Sequence, residues 1–344
     1  MNLKLKVTIL VTSFTFFIIS CSKENSATNE NATLEIPANF PAMKYNLASN
    51  PYTKEKQELG KKLFYDGRLS SDGNISCGSC HQQFAAFAHA EHNVSHGVED
   101  RLGTRNSIAL FNLAWRPSFF WDGGVFNLDL FHVNPIENRV EMDNKMDTVL
   151  NMLRRDKNYP ALFKKAFGTN EINNINLSQA LSTFLISMVS NDSKYDDYLA
   201  GKITLTTDEI QGMELFNQKC ASCHSGILFS DFEFRNNGLA TRNDYGRYLI
   251  TLNPNDSFKF KTPTLRNIEK SSPYMHDGRL RTLEEVLDHY ASGVVKTTTT
   301  LDTVLQRNNT LGIPLNTDEK TKIIAFLKTL TDNQFLTDSR FSEQ

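Results

Sequence analysis

Two copies of the motif Cys-x-x-Cys-His constrain this chain more than any other feature. CGSCH occupies residues 77–81 and CASCH occupies residues 220–224. This motif is the attachment signature of c-type haem, because two thiols one helical turn apart can reach the two vinyl groups on one porphyrin edge. The histidine that follows then lies under the ring and can bind the iron. We therefore predict two covalently bound haem c groups, with His81 and His224 as iron ligands. The predicted attachment residues are Cys77, Cys80, Cys220 and Cys223.

Two other kinds of site also use closely spaced cysteines. A thioredoxin-like redox pair needs a strand–helix–strand context, and strand-like alternation is scarce in this sequence. A zinc site would combine the two motifs around one metal. It would leave the histidines that end the motifs without a role, so we favour haem.

The start of the chain is typical of a targeting segment. Basic residues precede a short apolar run, residues 7–19, which is too short for a spanning helix. The end of this run resembles a bacterial lipoprotein signal, which implies that residues 1–20 are a signal peptide and that Cys21 carries lipid. A plain secretory signal and an uncleaved anchor are the alternatives. All three place the folded part outside the cytoplasm, and we expect a lipoprotein on the periplasmic side, held to the membrane by its lipid alone.

The chain between and around the motifs is predicted to be mainly α-helical. Apolar residues at helical spacing precede each motif: Leu59, Leu63 and Phe64 before the first, and Met213, Leu215 and Phe216 before the second. A further apolar helix is predicted from about residue 178 to residue 189. A helix that enters a haem-binding turn is typical of cytochrome c.

We therefore predict two cytochrome c-like haem domains with long loops. A flexible tether would cover residues 21–50, the N-terminal domain residues 51–200 and the C-terminal domain residues 201–344. The segment 192–204 would connect the domains. The net charge of −2 gives no indication of a nucleic-acid partner.

An ordered set of further motifs resembles the bacterial di-haem cytochrome c peroxidases and their MauG-type relatives. From about Asn50 to Phe335 these motifs are LSSDGNISCGSCH, GTRNSIALFNLAW, SFFWDGG, NPIENRVEM, FKTPTLRN, SPYMHDG and TLEEVLDHY. The resemblance implies reduction of hydrogen peroxide with electrons from a small donor protein, such as a cytochrome c or a cupredoxin. The N-terminal haem would react with peroxide and the C-terminal haem would take in electrons. Because family members are often dimers, the resemblance also allows a homodimer.

The same resemblance implies roles for two residues near the N-terminal haem. Trp121 would lie between the haems and mediate electron transfer, and Glu141 would be the distal carboxylate that moves a proton during peroxide cleavage. The chain departs from the family pattern at two positions. Phe131 stands where a distal Gln is common, and Gly124 replaces an Arg, so we expect a drier distal pocket.

Two further sites follow from the resemblance alone. A calcium ion would be bound by Asn106, Ser271 and Pro273. A histidine of the segment AHAEHNVSHG would be the sixth ligand of the N-terminal haem iron. That segment offers His89, His92 and His96, and His96 is the best match to the family pattern.

The sixth ligand of the C-terminal haem iron has four candidates in residues 272–293: Met275, His276, His289 and Tyr290. Residues 282–285, TLEE, form a capping box that predicts a helix beginning at Leu283, and Gly293 fits its end. Tyr290 shares the apolar face of this helix. In the family pattern its position holds Met in the peroxidases and Tyr in the MauG-type enzymes, so Tyr290 is the favoured ligand and Met275 the alternative.

The ligand affects the expected function, because axial Met raises the potential of a haem whereas an anionic Tyr oxygen should lower it. The sequence therefore supports a peroxidase that takes electrons from a donor protein, and also a MauG-like oxidase that uses peroxide to oxidise a protein or another organic substrate. A non-catalytic electron carrier is a third class. Trp121 and Glu141 argue against it, since a carrier needs neither.

Overall fold

Helices form most of the regular structure in the computed structural model of this chain, which describes residues 33–240, 242–307 and 309–343. The α-helices of these residues are α1 Lys54–Phe64, α2 Cys77–Cys80, α3 Val133–Glu137, α4 Met146–Arg155, α5 Tyr159–Phe167, α6 Asn174–Ser187, α7 Lys194–Leu199, α8 Thr207–Lys219, α9 Tyr248–Thr251, α10 Leu283–Asp288, α11 Thr317–Lys328 and α12 Asn333–Thr337. Strands are short and few: β1 Phe234–Arg235 pairs antiparallel with β2 Phe260–Lys261, and β3 Gln306–Arg307 with β4 Thr310–Leu311. The predicted mainly α fold class is therefore confirmed.

Long irregular segments connect the helices and contain single helical turns. Turns of 3₁₀ helix lie at Gly67–Leu69, Gln83–Ala85, Val98–Asp100, Leu113–Trp115, Leu128–Leu130, Pro254–Asp256 and Thr303–Leu305, and a π-helical turn lies at His289–Gly293. The predicted signal peptide, Cys21 and the first part of the predicted tether lie outside the described residues. Among the described residues, none of the helices combines the length and apolar character that spanning a bilayer requires.

The helix that leads to the first haem motif packs closely against α6. The Thr53 side chain caps the start of α1 by accepting a hydrogen bond from the Lys56 amide. Where the helices meet, a Cβ atom on Gly60 would lie 2.0 Å from the Ala180 carbonyl oxygen. Only glycine allows the two backbones to approach this closely, so the first motif begins beside a tight helix pair.

The second haem motif has the same arrangement. A capping box of Thr206 and Glu209 starts α8, and α8 packs against α11. A Cβ atom on Gly212 would lie 1.9 Å from the Lys322 carbonyl oxygen. Each half of the chain thus repeats one unit, in which a helix enters the motif and packs against a later helix at a glycine.

Each helix pair is surrounded by an apolar core. The end of the chain packs into the core of the first pair, although it follows the second pair in the sequence. Phe335 and Phe341 are buried in the core that surrounds α1 and α6. The Phe335 ring lies 5.6 Å from the Phe87 ring and 5.7 Å from the Phe111 ring, measured between centroids. The C-terminal segment therefore completes the core of the N-terminal half.

The predicted connection and the end of the predicted tether are both packed. Segment 192–204 contains α7, and its Asp196 receives two hydrogen bonds of 2.7 and 2.8 Å from the buried Arg266 guanidinium. In residues 33–50, the Pro41 carbonyl accepts a hydrogen bond from Trp115 Nε1, and Asn50 is fully buried. Residues 33–240, 242–307 and 309–343 accordingly belong to one compact unit.

We expect the substitution Gly212→Ala to lower the free energy of unfolding by about 1–3 kcal/mol, because overpacking forces backbone shifts of this cost. Denaturant unfolding of the haem-loaded protein would measure the change. The neighbouring Gln211 is exposed on the same helix, so Gln211→Ala should change stability by no more than about 0.5 kcal/mol. Equal stability of both variants would contradict the role assigned to the glycine.

Candidate haem sites

Each Cys-x-x-Cys-His motif lines a cavity of its own. Residues Cys77, Cys80 and His81 line the N-terminal cavity, of about 780 Å³. Residues Cys220, Cys223 and His224 line the C-terminal cavity, of about 210 Å³. The described residues contain no cluster of three or more His, Cys, Asp or Glu side chains placed to hold a metal ion. The two motifs therefore do not meet in a shared zinc site.

The four motif cysteines are half-buried, and their thiols have raised pKa values. Burial raises the pKa of Cys77 to about 12, that of Cys80 to about 11 and that of Cys220 to about 12. Redox-active Cys-x-x-Cys pairs need the opposite, a lowered pKa that exposes a thiolate. The geometry thus disfavours a thioredoxin-like pair and leaves the thiols in place for thioether bonds.

Both motif histidines are fixed by a hydrogen bond to the backbone. His81 Nδ1 donates to the Phe87 carbonyl at 2.8 Å, and His224 Nδ1 donates to the Phe229 carbonyl at 3.2 Å. These bonds set the tautomer, so that Nε2 of each ring is free to bind a metal. Burial also lowers the pKa of His81 to about 4, which keeps the imidazole neutral as a ligand requires.

The two carbonyl acceptors belong to phenylalanines with unusual backbone conformations. Phe87 has φ +57° and Phe229 has φ +51°, in the left-handed region that bulky residues rarely occupy. Such conformations persist only where the surrounding structure enforces them, and they cluster at functional sites. One such residue lies six positions after His81 and the other five positions after His224, which indicates that each half is built to orient its histidine.

Two buried cations show that the C-terminal cavity suits a haem. Arg116 and Lys261 line it, and neither forms a salt bridge within the described part of the chain. Arg116 donates to the carbonyls of Ala109 and Phe111, and Lys261 Nζ to that of Ser118. Burial lowers the pKa of Lys261 to about 7. Since buried, unpaired charges are costly, these groups fit a ligand that brings carboxylates, as the propionates of haem do.

Trp121 lies at the boundary of the two cavities. It lines both of them and is 9% exposed. Its indole Nε1 donates a 2.9 Å hydrogen bond to the Asn106 carbonyl, which fixes the ring. The other residues that line both cavities are Asn106, Ser107, Ile108 and His276. Trp121 therefore faces both of the cavities that contain the motifs.

Glu141 and Phe131 both line the N-terminal cavity. The Glu141 carboxylate accepts a 2.9 Å hydrogen bond from Asn138 Nδ2. Burial raises the pKa of Glu141, while the bond from Asn138 opposes that rise. The Phe131 ring stacks on Phe120 with centroids 4.8 Å apart, so it gives an apolar wall where the family commonly has Gln.

His96 also lines the N-terminal cavity, whereas His89 and His92 do not. The three rings pack together: His92 stacks on His89 at 4.3 Å and meets His96 edge-on at 4.4 Å, between centroids. The His96 backbone carbonyl accepts a weak hydrogen bond from Cys80 Sγ at 3.5 Å. Of the three candidates in this segment, His96 is therefore the one beside the predicted haem.

The C-terminal cavity brings together the favoured ligand candidates, Tyr290 and Met275. The predicted capping box is present, with Thr282 accepting from the Glu285 amide, and α10 begins at Leu283. Tyr290 lies in the π-helical turn that follows, and such turns are frequent at functional sites. Burial raises the pKa of Tyr290 to about 12, and the nearby Asn237 side chain opposes part of that rise.

The two histidines of this segment make other contacts. His276 lines both cavities, but its ring stacks on Phe260 with centroids 3.6 Å apart. His289 is buried, and its Nε2 donates to the Asn237 carbonyl at 3.1 Å. His289 does not line the cavity. Of the four candidates, Met275, His276 and Tyr290 therefore line the C-terminal cavity, and the ring of His276 is stacked on Phe260.

The three residues of the predicted calcium site all line the C-terminal cavity: Asn106, Ser271 and Pro273. Asn106 uses its amide nitrogen to donate to the Asn93 carbonyl at 3.2 Å. Its side-chain oxygen therefore remains the group that a cation would use.

Several residues at these sites were missed by sequence reasoning. They are Phe87, Arg116, His132, Phe229, Asn237 and Lys261. His132 follows Phe131 directly, lines the N-terminal cavity and is buried, with Nε2 3.2 Å from Ser178 Oγ. Lys261 lies in the family motif FKTPTLRN, which could have drawn attention to it. The sequence around the other five residues contains no motif that would have identified them.

A mainly helical chain with two separate haem motifs, each in its own cavity, defines a di-haem c protein. Residues 54–204 match the family described as di-haem cytochrome c peroxidase. The methylamine utilization protein MauG of Methylorubrum extorquens is 35% identical over 81% of this chain and 82% of its own. The cytochrome c551 peroxidase of Nitrosomonas europaea is 34% identical over 83% of each chain. The chain belongs to the di-haem cytochrome c peroxidase family.

A solved structure agrees with this assignment. The crystal structure of a MauG-like protein associated with microbial copper homeostasis superposes with a TM-score of 0.81 and is 32% identical. The match covers 90% of this chain and 98% of that one. Membership of the family implies an oxidoreductase with two haem c groups.

We expect the double variant Cys77→Ala, Cys80→Ala to retain one covalent haem per chain, because each motif has a separate cavity. The matching variant Cys220→Ala, Cys223→Ala should also retain one. Haem content after denaturing extraction, relative to protein concentration, measures both. Complete loss of covalent haem in either variant would show that the two sites depend on each other.

Proposed function

We propose that this protein is a di-haem c peroxidase that reduces hydrogen peroxide to water with electrons from a small donor protein, such as a cytochrome c or a cupredoxin. The observation that carries the proposal is the position of Trp121. One side chain lines the cavity that holds His81 and Glu141 and also the cavity that holds His224 and Tyr290. Such a position suits a bridge for electrons between a donor-facing haem and a peroxide-facing haem.

In the N-terminal cavity, the chain's own residues would move protons and control access to the haem. When bound, the haems supply the iron centres that accept electrons and react with peroxide. Glu141 would take a proton from one peroxide oxygen and deliver it to the leaving oxygen. Phe131 would keep competing water away from that position. When the haem is bound, His96 would help to hold it as a further iron ligand in the resting protein.

The C-terminal cavity would hold the haem through His224, with its propionates near Arg116 and Lys261. Tyr290 is the proposed sixth ligand, with Met275 as the alternative. The proposal also includes one calcium ion at Asn106, Ser271 and Pro273, because all three line one cavity. A lipid on Cys21 and a periplasmic location remain part of the proposal on the strength of the sequence.

A second function is favoured by one specific observation, the presence of Tyr290 in the C-terminal cavity. An anionic oxygen ligand stabilises the ferric iron and makes that haem a poor store for a donor's electron. It suits an enzyme that spreads oxidising equivalents over both haems. The alternative is therefore a MauG-like oxidase that uses peroxide to oxidise a protein or another organic substrate.

Replacing Trp121 with Phe should lower peroxide-dependent oxidation of reduced cytochrome c by about tenfold or more, because the bridge between the haems is lost. Stopped-flow spectroscopy of the purified di-haem protein measures the rate. Trp115→Phe is the matched control, since Trp115 is also buried but lines neither cavity. Wild-type protein that reacts with peroxide yet oxidises no donor protein would refute the peroxidase and leave the oxidase.

The rate of the peroxide reaction should fall at low pH as Glu141 becomes protonated, because the carboxylate is the proton acceptor. Asn138→Ala removes a hydrogen bond that stabilises the carboxylate, so the pKa of Glu141 should rise further. The acid limb of kcat/KM should then move to higher pH by roughly one pH unit, the equivalent of a hydrogen bond of about 1.4 kcal/mol.

The control for this measurement is Asn134→Ala, since Asn134 lines the same cavity and is exposed. It should leave the acid limb in place. If the profile of Asn138→Ala coincides with that of wild type, Glu141 is not the group that titrates.

A further inference from the structure

Exposed apolar side chains lie at one opening of the N-terminal cavity. Leu249 and Ile250 belong to α9, are 52% and 42% exposed, and line the cavity. Phe126 is 65% exposed and lies close by, with its ring centre 5.7 Å from the guanidinium of Arg247, the residue before α9. We call Phe126, Leu249 and Ile250 the apolar rim. Adjacent exposed apolar side chains at the edge of a cavity are a feature of ligand-binding grooves.

The opening beside the apolar rim contains a glycine. Gly124 is exposed and lines the cavity. A Cβ atom on Gly124 would lie 3.0 Å from Ile250 Cδ1 and 3.2 Å from Asp122 Oδ1. A larger residue at this position would therefore occupy the space beside Ile250. The opening lies between residues 122–126 of the N-terminal half and α9 of the C-terminal half.

Apolar side chains continue from this opening into the cavity. Val125 lines the cavity, and its carbonyl accepts a 2.7 Å hydrogen bond from the Phe119 amide, which fixes its position. Phe120 also lines the cavity, and its ring stacks on that of the buried Phe131. Phe120 has φ +62°, a conformation that persists only where the surrounding structure enforces it. An apolar surface thus extends from the exposed rim to the buried Phe131.

The charged side chains of this cavity compensate one another. Arg105 forms salt bridges with Asp122 and Asp244. Arg242 lies 3.5 Å from the Asp277 carboxylate. Within the described part of the chain, the arginines and aspartates that line the cavity are therefore paired. A charged substrate would have to compete with these pairs, whereas a neutral substrate leaves them intact. The cavity thus suits a neutral molecule with an apolar body.

We propose that the N-terminal cavity accepts organic hydroperoxides, which are neutral molecules with a peroxide group on an alkyl or aryl body. The body would lie against the rim, Phe120 and Phe131, and the peroxide group would face Glu141. Hydrogen peroxide is small and polar and needs no apolar path, whereas burial of an apolar body is favourable. The proposal rests on the proposed function and widens its substrate class.

The reaction balances in the same way as that of hydrogen peroxide. The O–O bond breaks, and the donor protein of the proposed function supplies two electrons. Two protons are taken up in total. The oxygen bonded to carbon leaves as an alcohol, and the other oxygen becomes water. Glu141 would deliver a proton to the leaving alcohol oxygen, as it would to the leaving oxygen of hydrogen peroxide.

The test compares cumene hydroperoxide with hydrogen peroxide in the chemically reduced di-haem protein, by stopped-flow measurement of haem reoxidation. We expect the two rate constants of wild type to agree within about tenfold. The double variant Leu249→Ser, Ile250→Ser should lower the ratio of the cumene hydroperoxide rate to the hydrogen peroxide rate by roughly tenfold, since less apolar area is buried. Gly124→Leu should also lower this ratio, because it narrows the opening.

The control variant is Leu252→Ser. Leu252 is exposed just after α9 and does not line the cavity, so the ratio should equal that of wild type. Leu249, Ile250 and Gly124 are also exposed, so their variants should fold.

A second measurement needs no turnover. The product alcohol, 2-phenyl-2-propanol, is titrated into the resting haem-loaded protein by calorimetry. We expect binding to wild type with a negative heat-capacity change, the mark of apolar burial. The Kd should rise about tenfold in the double variant and stay unchanged in Leu252→Ser.

Two results would overturn the proposal. One is fast reaction of wild type with hydrogen peroxide together with a reaction more than about a hundredfold slower with cumene hydroperoxide. The other is a double variant that keeps both the wild-type ratio and the wild-type affinity for the alcohol. Reaction with neither peroxide would instead refute the proposed function, on which this proposal rests.

Discussion

Both haem sites depend on the hydrogen bond that each motif histidine makes to a backbone carbonyl. This bond decides which ring nitrogen faces the cavity, and a ligand that could rotate would not hold an iron in one geometry. The acceptors are Phe87 and Phe229, whose left-handed backbones turn their carbonyls toward His81 and His224. Aromatic packing around each phenylalanine stabilises these strained backbone conformations.

That packing connects the ligands to the helices of each half. The Phe229 ring lies 5.8 Å from Phe216 on α8 and 6.1 Å from Phe326 on α11, between centroids. The Phe87 ring lies 6.1 Å from Phe64 on α1. The two glycine-mediated helix pairs therefore supply aromatic side chains that pack against Phe87 and Phe229. This packing fixes the position of each phenylalanine carbonyl.

The features that sequence reasoning predicted are those whose signal is local. Cysteine and histidine spacing within five residues identifies a haem motif, and a capping box at 282–285 places the start of α10. Asn237, Arg116 and Lys261 could not be found in this way, because their meaning depends on which cavity the fold brings them to. The tether is predicted from the polar stretch SKENSATNENAT, which ends at residue 33 and so gives no information about the burial of Asn50.

The path of the C-terminal segment has a consequence for how the protein matures. Phe335 packs directly on Phe87, the residue whose carbonyl orients His81. The last helix of the chain thus supports the first haem ligand, although more than half of the sequence separates them. During synthesis the N-terminal site lacks this support until α12 has been made, so the first haem site reaches its final geometry only after the second motif has also been synthesised.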